Sequence, residues 1–181
     1  MLPESLDDLW HLQHLISRGD LVFALTHRKL PAIADKARPE KMERKTVRLG
    51  VKVEDVEFHM YSNWLRVHGT IKSGMDVGQY HTLNIEVGTD LSILKYHWRP
   101  DLLARIDEAV AESQRPKVVI ALIEEGEATI GILRQFGVQM AAELRQGSGK
   151  GSGEDSRPGF LREVAAAIGQ TAQEGADVIL A

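Results

Sequence analysis

Strict alternation of apolar and polar residues over positions 46–60 constrains the fold of this 181-residue chain more than any other feature. Apolar side chains occupy every second position up to Val53, a period typical of a β-strand with one buried face. After Glu54 and Asp55 the alternation changes phase and resumes at Val56, so a straight strand would turn its second half outward. The pattern therefore predicts a long strand with a bulge or bend at Glu54-Asp55.

Similar segments on either side predict that this strand belongs to a small barrel. Short apolar or alternating runs predict further strands at residues 21–26, 65–71, 83–87 and 91–96. Five strands at this spacing, separated by turns rich in glycine, indicate a strongly bent β-barrel. Helices are expected before and after the barrel in the sequence. Ser5 and Asp8 have capping-box spacing before the barrel, and Pro100 begins an apolar stripe of Leu102, Leu103, Ile106, Ala109 and Val110 after it.

The last third of the chain has the pattern of an α/β unit. Residues 118–123 form a continuous apolar run, typical of a strand buried on both faces. A hairpin at 124–127, two further strands, a helix from Pro158 and a strand at 178–180 follow. We therefore expect two domains, a barrel at 1–114 and an incomplete α/β unit at 115–181, because the chain stops within an apparent strand.

Composition excludes several classes of protein. Without cysteine the chain has no disulfide framework, cysteine zinc site or thiol nucleophile. No apolar run reaches the length of about 18 residues that a membrane-spanning helix needs. The first residues are acidic where a secretory signal would be basic, so we expect a cytoplasmic protein with no membrane association.

The net charge of −4 conceals a basic segment between His27 and Arg48. This segment holds eight Lys and Arg residues and three acids, a net +5, so the other residues sum to −9. We expect a long exposed loop from His27 to Glu43, whose cations contact the phosphates of a nucleic acid. The alternative is a merely solvated loop. The candidate RNA-binding residues are Arg28, Lys29, Lys36, Arg38, Lys41, Arg44 and Lys45.

Other motifs carry weaker signals. The glycine-rich segment around Lys150 fails the phosphate-loop pattern, since Gly151 follows the lysine and position 144 is leucine. His11 and His14 have a spacing compatible with metal ligation, but no third ligand stands nearby. We therefore predict no metal site, and no catalytic residue can be identified. Residues that offer stacking surfaces to RNA bases are Tyr80, His81, Tyr96, His97 and Trp98.

A series of motifs resembles the Pelota family of ribosome-rescue factors, relatives of the class-1 translation termination factors. They occur in order across practically the whole chain and are individually weak but jointly specific. They are Pro3-Glu-Ser-Leu-Asp-Asp-Leu-Trp-His-Leu, Leu15-Ile16 with Gly19-Asp20, Thr26-His27-Arg28-Lys29, Gly78-Gln79-Tyr80-His81-Thr82-Leu83, Lys95-Tyr96-His97-Trp98 and Glu125-Gly126-Glu127-Ala128. The compact loops favour an archaeal member.

This resemblance implies an Sm-like β-barrel with flanking helices, followed by part of the α/β central domain. It implies recognition of ribosomes stalled on messenger RNA, in no-go decay and ribosome rescue, with the barrel reaching into the decoding site. It implies three partners: the ribosome with its rRNA and mRNA, a translational GTPase of the elongation-factor 1-alpha type, and an ABC-type ATPase that splits the subunits. The loop from Arg28 to Lys45 matches the basic decoding-site loop of the family, and Lys150 falls in its basic central-domain loop.

The sequence departs from the family pattern in informative ways. It lacks the Gly-Gly-Gln tripeptide with which termination factors hydrolyse peptidyl-tRNA, so peptide release is not expected. The strand that precedes the first helix in the family is missing, as is a third domain. We therefore expect a fragment of a three-domain protein, and GTPase binding by it is in question.

Two other functions remain open at this stage. The family has been proposed to contain a divalent-metal-dependent endoribonuclease, which would make a divalent cation the cofactor. The acids and the histidine available to it are Asp20, Glu54, Asp55, Glu57 and His59, but their spacing selects none of them. The barrel could also be a protein-interaction module whose basic loop pairs with an acidic partner. Our first hypothesis is a monomeric, non-catalytic factor that binds RNA and ribosomes without a cofactor.

Overall fold

The computed structural model describes residues 1–29, 44–146, 157–172 and 176–181. The chain divides into two compact units, Met1–Ser113 and Gln114–Ala181. The first contains α1 (Leu6–Leu15), β1 (Leu21–Lys29), β2 (Arg44–His59), β3 (Trp64–Ser73), β4 (Tyr80–Ile85), β5 (Leu91–Leu94) and α2 (Pro100–Ser113). The second contains β6 (Val118–Glu124), β7 (Glu127–Arg134), β8 (Gly137–Arg145), α3 (Arg157–Thr171) and β9 (Asp177–Leu180). None of the helices in the described ranges is long and apolar enough to cross a bilayer.

The five strands of the first unit form one antiparallel sheet in the order β4-β3-β2-β1-β5. In a flat sheet β1 and β4 would lie about 14 Å apart, because β2 and β3 separate them. The Thr26 hydroxyl of β1 instead lies 3.0 Å from Nε2 of His81 on β4. The sheet is therefore strongly curled, and the predicted bent β-barrel is confirmed.

β2 is the long bent strand that the alternation predicts. Val53 pairs with Gly69 and Asp55 with His68, so Glu54 is the extra residue of a β-bulge. The phase change in the sequence is thereby explained, since the bulge returns the second half of β2 to the core side. Gly69 permits the close approach of the two strands, because a Cβ atom there would overlap the carbonyl oxygen of Lys52.

Both helices of the first unit pack on the barrel core. The predicted capping box is present: the Asp8 amide donates to Ser5 Oγ at 3.2 Å, and the Ser5 amide donates to the Asp8 carboxylate at 2.9 Å. In α2 the predicted apolar face is wrong in part. Leu102 is buried, whereas Leu103 is 47% exposed and Val110 is 62% exposed, because they lie to one side of the narrow stripe that meets the core.

The second unit is a four-stranded sheet in the order β8-β7-β6-β9, with β9 parallel to β6. Phe160 and Val164 of α3 pack against Ala128 of this sheet. The prediction that residues 118–123 are buried on both faces is wrong, since Ala121 is buried but Leu122 is 46% exposed. In the described part of this unit there is one helix, α3, and a single helix covers only one face of a sheet.

The loop predicted from His27 to Glu43 begins later than expected, because β1 continues beyond His27. β1 continues through His27 and Arg28 to Lys29, where it pairs with Arg44 at the start of β2. Polar residues therefore extend the hairpin beyond the apolar run, because the backbone ladder is made by main-chain groups whatever the side chains are. Residues 30–43, and the glycine-rich segment at 147–153, lie outside the described residues.

Candidate nucleic-acid interface

The predicted basic residues that the structure describes converge on one end of the hairpin formed by β1 and β2. Arg28 pairs with Lys45, and Lys29 with Arg44, at the last two positions of the ladder. These four residues thus occupy adjacent register positions, and we call them the basic hairpin end. The remaining candidates lie outside the described residues: Lys36, Arg38, Lys41 and, in the second unit, Lys150.

The hairpin end is polar because the buried face of the barrel stops before it. Val22 and Ala24 of β1 are fully buried, and the same face continues through Thr26 to Arg28. Directly opposed residues of antiparallel strands share a face, so Lys45 belongs to this face as well. Two cations therefore follow the apolar stripe along the strand pair.

Arg28 is held by three residues of the β3–β4 connection and of β4. Its Nε lies 2.5 Å from the Asp76 carboxylate, and its Nη2 donates to Gln79 Oε1 at 2.6 Å. Its Nη1 lies 3.5 Å from Nδ1 of His81. Only 13% of the Arg28 side chain is exposed. The guanidinium is consequently enclosed within the first unit.

His81 connects this cluster to β1. Its Nε2 shares a hydrogen bond of 3.0 Å with the Thr26 hydroxyl. Burial lowers the pKa of His81, and the nearby Arg28 and His68 lower it further by electrostatic repulsion. A neutral imidazole at pH 7 avoids placing a second positive charge against the Arg28 guanidinium.

Two further cations of the hairpin, Lys45 and Arg48, are open to solvent. Arg48 lies two residues after Thr46 in β2, and its side chain is 45% exposed. Its guanidinium donates to Ser92 Oγ at 3.1 Å and lies 3.6 Å from the Asp90 carboxylate. Lys45 and Arg48 therefore differ from Arg28 in being accessible to a large polyanion.

Sequence reasoning missed Asp76 and Gln79, although both hold the central arginine of the site. Gln79 is 51 residues from Arg28 along the chain, and no local pattern connects the two. Gly74 and Gly78 indicate a turn between β3 and β4, but its packing against β1 follows only from the curl of the sheet.

The candidate stacking residues have diverse environments. Tyr80 is 64% exposed, and its ring stacks on that of His68 with centroids 5.7 Å apart and planes inclined by 6°. Tyr96 is fully exposed and His97 is exposed. Trp98 packs against the barrel core, beneath the ammonium group of Lys95.

The residues named for a metal-dependent nuclease do not converge. Asp20 forms a buried ion pair with Lys95. The Glu54 carboxylate accepts a hydrogen bond of 2.6 Å from the Thr70 hydroxyl. The Glu57 carboxylate lies 3.0 Å from Nε2 of His59. Among the described residues there is no group of three or more His, Cys, Asp or Glu side chains that could hold a metal ion.

Comparison with protein families gives a match over most of the first unit. A protein-family model of the Pelota N-terminal domain matches residues 1–110. The chain belongs to the Pelota family. The fold implied by the resemblance, an Sm-like bent β-barrel with flanking helices followed by part of an α/β central domain, is confirmed.

Individual Pelota relatives extend the match through the second unit. A protein pelota homolog of Methanothrix thermoacetophila is 67% identical over 181 residues, which is 100% of this chain and 52% of the relative. A homolog from Methanococcoides burtonii is 61% identical over 164 residues, covering 91% of this chain and 45% of that protein. The chain thus spans about half the length of the curated relatives it matches.

Two solved structures share the fold. The crystal structure of Thermoplasma acidophilum Pelota has a TM-score of 0.68 at 22% identity, covering 99% of this chain and 49% of that chain. A structural model of ribosome-bound archaeal Pelota with ABCE1 matches at a TM-score of 0.54 and 39% identity, covering 94% of this chain and 50% of the matched chain.

Proposed function

We propose that this chain is the ribosome-binding part of a ribosome-rescue and mRNA-surveillance factor. Its first unit contacts rRNA and mRNA phosphates in the decoding site through Lys29, Arg44 and Lys45 of the basic hairpin end and through the residues that follow Lys29. The observation that carries this proposal is the pairing of Arg28 with Lys45 and of Lys29 with Arg44 at one end of the barrel. This concentration of cations stands out on a chain whose net charge is −4.

The physical basis is the release of counterions from RNA. Each phosphate neutralised by a Lys or Arg side chain releases condensed counterions, so affinity falls as the salt concentration rises. The acidic remainder of the chain repels RNA, so binding is confined to the basic hairpin end. Such contacts fix position without reading sequence, which suits a factor that must act on any stalled message.

Family membership extends the proposal to partners and location. The matched archaeal Pelota is ribosome-bound together with ABCE1. We therefore propose delivery by an elongation-factor 1-alpha type GTPase, subunit splitting by an ABC-type ATPase, and action in the cytoplasm. Peptide release is not part of the proposal, because the sequence has no Gly-Gly-Gln tripeptide.

Charge reversal at the hairpin tests the proposal. In the triple variant Lys29→Glu, Arg44→Glu, Lys45→Glu, we expect affinity for 70S ribosomes with a vacant decoding site to fall more than about 10-fold. The slope of log affinity against log salt should become shallower by about 0.7–0.9 for each phosphate that the variant no longer neutralises. Unchanged affinity and slope would refute the proposal.

A matched control has the same change of charge elsewhere on the barrel. Lys52, Arg66 and Lys72 are exposed residues of β2 and β3. The triple variant Lys52→Glu, Arg66→Glu, Lys72→Glu should retain most of the affinity and the full salt slope. If both triples lose affinity equally, general charge and not the hairpin accounts for binding. Nuclease treatment of the complex distinguishes RNA binding from an acidic protein partner, which would stay bound.

A further inference from the structure

We propose that Arg28 is a positioning residue, which anchors the basic hairpin end to the β3–β4 connection and does not itself contact RNA phosphate. This inference rests on the proposed function, since it assigns a role within the same interface. It concerns a cluster of four side chains: Arg28 of β1, Asp76 and Gln79 of the connection, and His81 of β4.

Each nitrogen of the Arg28 guanidinium already lies beside a partner within the first unit. Arg28 uses all three of its nitrogens: Nε on Asp76, Nη2 on Gln79 and Nη1 beside His81. With 13% of its side chain exposed, it offers little surface to an incoming phosphate. A phosphate would have to displace the Asp76 carboxylate, a charged partner already at 2.5 Å.

The segment that holds Arg28 has backbone hydrogen bonds of its own. The Ile71 amide donates to the Gln79 carbonyl at 2.8 Å, and the Gly78 amide donates back to the Ile71 carbonyl at 2.9 Å. Asp76 itself has φ +57°, a left-handed conformation that aspartate tolerates better than most residues. The Asp76 carboxylate is therefore presented by a turn with its own backbone hydrogen bonds.

The same turn is fixed to β2 on its other side. Gly74 has φ +102°, and a Cβ atom there would lie 2.8 Å from the Arg48 carbonyl oxygen and 2.7 Å from Leu49 Cδ2. The turn thus packs directly on the β2 backbone close to the point where β2 leaves the hairpin end. Arg28 completes this arrangement by tying β1 to the same turn.

The consequence is preorganisation of the neighbouring cations. Arg28 is followed by Lys29 and pairs with Lys45, so an anchored Arg28 fixes the register positions from which the other cations extend. If the anchor is removed, only a fraction of molecules holds the hairpin in the binding conformation. The apparent affinity is then the intrinsic affinity multiplied by that fraction.

Asp76 provides the decisive contrast. Electrostatics alone predicts that removing an acid beside an RNA-binding surface strengthens binding. Anchoring predicts the opposite, because the acid holds Arg28 in place. Asp90 offers a control on another arginine of the barrel. Its carboxylate lies 3.6 Å from Nη1 of Arg48 and 3.8 Å from the N-terminal ammonium group, and it is exposed, as is Arg48.

The experiment uses the full 181-residue chain, 70S ribosomes with a vacant decoding site, and a range of salt concentrations. Asp76→Asn and Arg28→Gln should each weaken binding about 5- to 10-fold while leaving the salt slope as in the wild type. Arg28→Lys should weaken binding as much as Arg28→Gln does. Lysine keeps the positive charge but lacks the planar guanidinium that contacts Asp76 and Gln79 together. The double variant should bind like either single variant, since each breaks the same interaction.

The control variant Asp90→Asn should bind as tightly as the wild type or slightly tighter.

Hydrogen exchange provides a second readout that needs no RNA. In Asp76→Asn and Arg28→Gln, amides at residues 26–29 and 44–47 should exchange faster, while those of β3 remain protected. The inference is overturned if Asp76→Asn binds like Asp90→Asn, if Arg28→Gln lowers the salt slope by the amount expected for one phosphate, or if exchange at the hairpin end is unchanged. A wild-type chain that does not bind ribosomes would refute the proposed function, and exchange would still decide whether Arg28 anchors the hairpin.

Discussion

His11 shows how a single residue makes the barrel sensitive to acid. Its side chain is 5% exposed, and neither ring nitrogen has a hydrogen-bond partner among the described residues. Burial lowers the pKa of His11, and Arg105 lowers it further, against the opposite effects of Glu108, Asp8 and Asp7. The folded protein therefore keeps this imidazole neutral at a pH where the unfolded chain, with a pKa near 6.5, binds a proton.

We expect the free energy of unfolding of the first unit to decrease as the pH falls below 6.5. The lowered folded-state pKa means that the unfolded state binds more protons in this range, at up to about 1.4 kcal/mol per pH unit for each extra proton. His14 and His81, whose pKa values burial also lowers, act in the same direction. Urea denaturation at pH 7 and pH 5 measures the effect.

The variant His11→Leu isolates the contribution of this residue. It should lose less stability than the wild type between pH 7 and pH 5, because one of the groups that takes up protons on unfolding is gone. An equal loss in wild type and variant would show that His11 does not titrate in this range.

Arg28 marks the limit of prediction from sequence at the residue scale. Its charge and its place in a basic segment are readable from composition, and they predict an RNA contact. Its pairing with Asp76 and Gln79 is not readable, because the sheet must curl before β1 and the β3–β4 connection meet. A residue type predicts which partners are chemically suitable, but only the packed fold selects one of them.

At the scale of elements, Gly69 controls the bend of β2 and β3. It lies opposite Val53 at the bulge, where a Cβ atom would overlap the Lys52 carbonyl oxygen. We expect Gly69→Ala to destabilise the first unit by about 2–4 kcal/mol, because only a shift of backbone relieves this overlap. The midpoint of urea denaturation followed by tryptophan fluorescence checks the value.

Gly50 is the matched control, since it also lies at a register shift between β2 and β3. The nearest atom to a Cβ at Gly50 is Cε1 of the Phe23 ring at 2.5 Å, a side-chain atom that can rotate away. Gly50→Ala should therefore cost clearly less than Gly69→Ala. Equal costs would mean that backbone overlap is not what makes Gly69 necessary.

The elements themselves were largely predictable, and their ends were not. Alternation identified the five strands and placed the bulge at Glu54-Asp55, because buried faces impose a period of two. It missed the extension of β1 through His27 to Lys29, where the side chains are polar and the strand is maintained by pairing with β2. Charged strand ends and charged loops have the same composition, so sequence alone does not separate them.

At the scale of the whole molecule, the two units differ in the size of their cores. Among the residues that the structure describes, sixteen buried apolar side chains form the core of Met1–Ser113 and six are buried in Gln114–Ala181. Since stability grows with buried apolar area, the second unit should be the weaker of the two.

We expect the second unit to unfold first, in a separate transition. The distribution of tryptophan makes the test direct: all three tryptophans, Trp10, Trp64 and Trp98, lie in the first unit. Fluorescence therefore reports on the first unit alone, while circular dichroism reports on both. In a urea titration, circular dichroism should change at a lower concentration than fluorescence does.

Two core substitutions assign the transitions to the units. Phe160 is 5% exposed in the second unit, and Phe160→Ala should remove about 3–5 kcal/mol from the early transition while leaving fluorescence unchanged. Leu65 is fully buried in the barrel, and Leu65→Ala should lower the fluorescence midpoint by an amount corresponding to about 2–5 kcal/mol. Coincident curves in the wild type, shifted together by either substitution, would mean that the two units unfold as one cooperative structure.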